Sequence, residues 1–316
     1  MLSRTAANLF WIARYMERAE NAARLLEVGA RISLIPSSHG YRSEWDSLLR
    51  AAGTAKMFAQ KYGDPVQRNI ESHLFFDRDN PSSVISCITA ARENARIVRT
   101  ALTTQVWDAI NSAFDEMRQL ERTERSELDL SQLTDWTLRH SALMRGCIEA
   151  TQLRDDGYGF LNLGYYLERA DSTARLLDVK YYVLLPRIEY VGSELDNYQW
   201  TTLLRAMSSH RAFHWAYGGD VTASKIAHFL VLNPLCPRSL ITCADALVNH
   251  IQKLDLRYGR SSVAHGQAQT MLASLAETTV EEVFEEGLHE FLSRFIRETR
   301  KLALDVHESY LSGDIR

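Results

Sequence analysis

The chain has 316 residues and a net charge of −4, with 46% hydrophobic and 24% charged residues. This composition suits a globular protein with a full core, and its slight acidity gives no support to a general affinity for nucleic acid or anionic lipid. Only 15 glycines and 6 prolines are present, too few for the many tight turns of an all-β protein.

The opening segment MLSRTAANLFW lacks the apolar core and small-residue cleavage site of a secretory signal, and leads straight into a helical pattern. Apolar residues at Leu9, Ile12, Met16, Ala19, Ala23 and Leu26 fall at three- and four-residue spacing, one stripe of an α-helix. The segment Pro36-Ser-Ser-His-Gly40 ends it, and a second helix is expected from about Ser43 to Tyr62, before Gly63-Asp-Pro65. A short third helix leads to DRDNPSS, where Asn80-Pro81 breaks the chain and Ser82 or Ser83 can cap the next helix. DRDNPSS begins like a calcium loop, but Ser82 stands where that loop needs glycine and Ile88 where it needs glutamate. Two more helices run to RDDGYG.

The scheme then begins again. YMERAENAARLLEV from Tyr15 is echoed by YLERADSTARLLDV from Tyr166, and eight of the twelve residues between Glu17 and Val28 recur 151 positions later. WDSLLRAAGTAKMFAQKYG from Trp45 is echoed by WTTLLRAMSSHRAFHWAYG from Trp200, and LFFDRDNPSSVISC from Leu74 by LVLNPLCPRSLITC from Leu230. Order is kept while the offset drifts from 151 to 156, as loop insertions would produce. Pro186, Gly218-Gly219 and Asn233-Pro234 punctuate the second half, and a last helix is expected from about Thr279 to Leu311. The expected fold is all-α: about twelve helices in two tandem pseudosymmetric copies, 1–153 and 154–316, forming a helical bundle in one compact unit. Trp11, Trp45, Trp107 and Trp200 are expected as core anchors.

The repeated helix keeps its charges as well as its apolar residues. At about 100° per residue, Glu17, Glu20 and Arg24 share one face, and Glu168, Asp171 and Arg175 share the matching face of the echo. Arg18 and Arg169 sit at the edge of the apolar stripe. The i,i+4 pairs Glu20–Arg24 and Asp171–Arg175 would contribute only about 0.3–0.5 kcal/mol each if exposed, too little to demand the pattern twice. A partly buried reading fits better, and three roles stay open for these eight residues: an interhelical structural network, a recognition surface, or catalysis. The simplest arrangement pairs the two helices, each supplying the other's counter-charge, with Ala19, Ala23, Ala170 and Ala174 small enough for close approach. Tyr165 stands where the first copy has Arg14, so the two halves are not expected to bind identically.

ERAENAARLLEV, DRDNPSSVISCITAARENARIVR and FLNLGYYLERADSTARLLDV together resemble the bacterial alpha-E family, all-helical proteins named for a Glu-Arg motif. The resemblance spans almost the whole chain. It implies the company of circularly permuted ATP-grasp ligases and transglutaminase-like peptidases, and service in a peptide synthesis or modification system. It supplies no reaction.

Catalytic signatures are scarce. No GxxxxGK[ST], strand-associated GxGxxG or GxSxG occurs, and His289 and His307 begin near misses to HExxH that lack the second histidine. His210 and His214 lie at metal-ligand spacing, but Ala55 and Ala59 replace them in the first copy, which favours packing. Four carboxylates from Glu17, Glu20, Glu168 and Asp171 could hold two metal ions, yet Arg24 and Arg175 crowd the same face. Cys87, Cys147, Cys236 and Cys243 form no CxxC or Cys/His grouping, and no apolar run approaches a membrane span. The expectation is a cytoplasmic, non-catalytic scaffold without metal or cofactor, binding a ligase or its peptide. The alternative is an enzyme, or half of one, acting on a peptide through the Glu-Arg clusters.

Overall fold

The computed structural model describes residues 1–34, 42–182 and 193–313. Among them lie fifteen α-helices and no strand. The first eight are α1 (Ser3–Ile32), α2 (Arg42–Ala52), α3 (Ala55–Lys61), α4 (Gln67–Glu71), α5 (Val84–Ile97), α6 (Thr104–Arg122), α7 (Leu130–Thr151) and α8 (Asp156–Tyr182). The rest are α9 (Glu194–Ala206), α10 (His210–Tyr217), α11 (Ala223–Val231), α12 (Leu240–Tyr258), α13 (Val263–Glu277), α14 (Val280–Glu286) and α15 (Leu288–Val306). The breaks expected at Pro36–Gly40 and Pro186 lie outside the described residues.

Three long segments split where one helix was expected, and each splits at a left-handed residue. Gly53 (φ +72°) separates α2 from α3, Ser208 (φ +54°) separates α9 from α10, and Gly287 (φ +96°) separates α14 from α15. A residue with positive φ cannot continue a right-handed ladder, so the count exceeds twelve. Gly53 and Ser208 occupy matching places in the two echoed segments.

The caps follow the sequence. Ser83 accepts from the Ser86 amide at 3.2 Å to start α5. Ser239, its counterpart in the echo, accepts from Thr242 at 3.2 Å to start α12. DRDNPSS is therefore a capping turn, with Asp77 paired to Lys61 at 2.5 Å.

At the centre, α1 and α8 pack along each other. The helices α5 and α7 flank α1, and α12 and α15 flank α8, while α2 lies across α8 and α9 across α1. Each central helix is thus covered on nearly every side. Leu9, Ile12, Leu26, Leu163, Leu167 and Leu177 are wholly buried, and Glu17 and Glu168, less usually, are buried as well. Trp45 and Trp200 are buried anchors on α2 and α9, and Trp11 and Trp107 are partly buried against the same core. No helix among the described residues is long and apolar enough to cross a membrane.

Candidate functional site at the crossing of the Glu-Arg helices

The crossing is set by a residue the periodicity did not single out. A Cβ on Gly164 would stand 2.1 Å from the Phe10 carbonyl oxygen, so only glycine lets the two backbones meet there. Beyond this point the charged faces run side by side and exchange partners. Arg14 donates Nε to Glu168 at 2.7 Å, and Arg18 donates Nε and Nη2 to the same carboxylate at 2.6 and 3.0 Å. In return Arg169 donates Nε and Nη2 to Glu17 at 2.9 and 3.0 Å. Each Glu-Arg pair is completed by the other helix.

The acidic residue three positions on has an arginine partner within its own helix. Arg24 donates to Glu20 at 2.7 and 2.9 Å, and Ser141 of α7 donates to Glu20 at 2.5 Å. Arg175 holds Asp171 at 2.5 and 3.3 Å. Both arginines also tie down the left-handed breaks described above. Arg175 donates to the Ala51 carbonyl at 3.0 Å, and Arg24 to that of Ala206 and to Ser208 Oγ.

All eight sequence-predicted site residues therefore meet at this crossing, in two groups. Glu168, Asp171, Arg18 and Arg175 form one, and Glu17, Glu20, Arg24 and Arg169 the other. Sequence reasoning missed the third cation of each. Around Glu168 it is Arg14, one turn before Arg18. Around Glu17 the Arg14 position is taken by Tyr165, whose ring lies 4.1 Å beneath the Arg169 guanidinium and cannot replace a charge. Arg238, from the turn that caps α12, supplies it instead, bonding Glu20 and lying 3.4 Å from Glu17. The signal was present, because Arg238 replaces Ser82 between the echoed turns; an arginine introduced beside a cap needs an acid to meet.

Burial and charge act differently on the carboxylates. Burial raises the Glu168 carboxyl, but Arg14 and Arg18 outweigh it and hold it down at about 2. Glu20 is likewise lowered: burial opposes, and Arg238, Arg24 and Arg169 prevail. Glu17 is raised, by burial first and by the neighbouring Glu20, against the pull of Arg169 and Arg238.

On the Glu168 side, where Ser82 leaves room, a cleft of about 330 Å³ opens. Arg14, Arg18, Arg175 and Arg300 line it with Glu168 and Asp171. Four guanidinium groups thus face two carboxylates, both already paired. Such a site can hold an anion through charge-assisted, forked hydrogen bonds. The other candidate groupings lie elsewhere. His210 and His214 approach at 3.3 Å between ring nitrogens. Among the described residues no three His, Cys, Asp or Glu side chains converge as metal ligands. All four cysteines are free thiols.

A family model described as a predicted alpha-helical domain with a conserved ER motif matches residues 1–311. An uncharacterized protein of Mycobacterium bovis and two of Mycobacterium tuberculosis are each 22% identical over 315 residues. The match covers 93% of this chain and 35% of each relative, so the chain spans about a third of their length. No solved structure matches.

Proposed function

The chain belongs to the alpha-E family, and from that premise we propose that it is a non-catalytic helical scaffold of a peptide synthesis or modification system. It binds a circularly permuted ATP-grasp ligase or that enzyme's peptide substrate, and a transglutaminase-like peptidase is a further candidate partner. The observation that carries this reading is the cleft beside Glu168, whose cations outnumber its carboxylates and which therefore attracts an anionic group. The length of the mycobacterial relatives supports it too, since about two thirds of each lies outside the match and has room for a partner in the same polypeptide. The chain is read as two tandem copies, 1–153 and 154–316, acting as one unit in the cytoplasm.

Affinity purification of the complete chain from its host, followed by reconstitution with the recovered ligase, tests the proposal. The expected result is a stable complex in which ATP is hydrolysed only when the ligase is present. ATP or peptide turnover by the chain alone, surviving repurification, would replace the scaffold with the enzyme reading, in which the Glu-Arg clusters act on the peptide directly.

A further inference from the structure

The two sides of the α1–α8 crossing have the same charge composition, two carboxylates and three arginines. They differ in where the third arginine comes from. On the Glu17 side Arg238 enters from the α12 cap turn, its side chain only 7% exposed, and its guanidinium spans Glu17 and Glu20. On the Glu168 side Arg14 enters along α1 itself, and the place matching Arg238 holds the small Ser82. On the Glu17 side Arg238 covers the acids, and the groove beside Arg24 and Ser208 is lined by neither Glu17 nor Glu20; on the other side Glu168 and Asp171 line the cleft.

The cleft also carries polar groups that nothing in the fold satisfies. Thr54 is 8% exposed and its buried Oγ1 has no hydrogen-bond partner; the buried Oδ1 of Asn21 has none either, and both residues line the cleft. An unmade hydrogen bond of this kind costs about 1–3 kcal/mol, and a bound ligand would recover it. The Asn21 amide can present either its oxygen or its nitrogen. Arg300 is exposed at the cleft and has no carboxylate partner among the described residues. Two positive charges are therefore in excess, while Leu25, Met57 and Leu74 give the walls an apolar part.

We infer that this cleft is a single-copy binding site for the C-terminus of an acidic peptide, a ligand bearing two carboxylates on an aliphatic frame, and that Arg238 closes the counterpart site. Two carboxylates match the excess charge, the aliphatic frame matches the apolar wall, and the volume lies near the lower end of the range for small-ligand sites, about 300–1,000 Å³. The inference rests on the cleft being the ligand site of the proposed scaffold, and it names the ligand class.

Calorimetric titration of the complete chain with N-acetyl-Ala-Glu tests it. One molecule should bind per chain, more weakly as salt rises. N-acetyl-Ala-Ala, or the same peptide amidated at its terminus, should bind about tenfold less tightly for each charge lost. Ser82→Arg should abolish binding, and Arg300→Gln, at an exposed position, should weaken it about tenfold. Thr54→Val should fold at least as stably as the parent yet bind more weakly, which a purely structural threonine would not do. Two sites per chain, or undiminished binding by Ser82→Arg and Arg300→Gln alike, would overturn the inference. So would inorganic phosphate competing as well as the peptide, which would make the cleft a general oxyanion site. If the ligase complex forms while the acidic peptide fails to bind, the ligand assignment alone falls; if neither occurs, the scaffold reading falls with it.

Discussion

Glu17 and Glu168 are the same residue of an echoed motif, both buried, yet their surroundings push their protons in opposite directions. Glu168 faces two arginines from α1 and no second acid within hydrogen-bonding distance, so it stays ionised down to about pH 2. A carboxyl held below its ordinary value of 4.5 adds stability that is complete above that value and is lost as pH falls toward 2. At about 1.4 kcal/mol per pH unit, the contribution is about 3 kcal/mol. Glu168→Gln should therefore destabilise the protein by about that amount at pH 7, and its deficit relative to the parent should shrink between pH 4.5 and 2. Urea denaturation across that range measures both. Glu17 is raised, by burial first and against the pull of Arg169, so its linkage has the opposite sign: the fold disfavours its ionised form, and acidification offsets that cost. Glu17→Gln should cost less than Glu168→Gln at pH 7, although Glu17 is the less exposed at 1% against 5%. An equal or larger loss for Glu17→Gln would show that Arg169 has no adequate second acid in Glu20, 3.9 Å away.

At the scale of the helix, α1 and α8 are governed by close approach more than by propensity. The alanines of the echoed stretch are buried, as their position opposite the charges implied, but the tightest contact is at Gly164 against the Phe10 carbonyl. In a free helix Gly→Ala would gain about 1 kcal/mol. Here the added methyl has only backbone to meet, so Gly164→Ala should force the helices apart and lose about 3 kcal/mol or more. Gly146 on α7 has open space around it, and Gly146→Ala should be neutral or slightly stabilising. Thermal melts of the two variants should therefore move in opposite directions. The periodicity made the long helices legible, and the cap of α5 was visible as Ser82 or Ser83, of which the structure uses Ser83. The breaks at Gly53 and Ser208 were not, because a single left-handed residue leaves the apolar spacing on either side intact.

In the whole molecule, the two central helices are each covered from both parts of the chain. From the first half, α2 covers α8; from the second, α9 covers α1. Two buried acids, Glu17 and Glu168, and their half-buried partners Arg169 and Arg18 find their counter-charges only across the boundary near residue 153. A fragment ending there would leave Glu17 without Arg169 and the buried face of α1 without α8. Fragments 1–153 and 154–316, expressed separately, should show little cooperative unfolding, whereas the complete chain should melt in one transition by calorimetry. Two independent transitions in the complete chain would contradict this.

The sequence by itself determined the all-helical class, the capping turn at Ser82-Ser83, and eight charged residues that the structure gathers at one crossing. Each of these is written locally, in spacing along one helix or in the residue that precedes it. The pairing of the two Glu-Arg helices was legible as well, because buried charges in both need counter-charges and each helix carries some. Only the tertiary structure decided which arginine meets which acid, that Gly164 sets the approach, and that Arg238 fills one side while Ser82 leaves the other open. Those outcomes depend on distances between segments about 150 residues apart. A difference of one side chain in a cap turn becomes a cleft only once the opposite wall is in place.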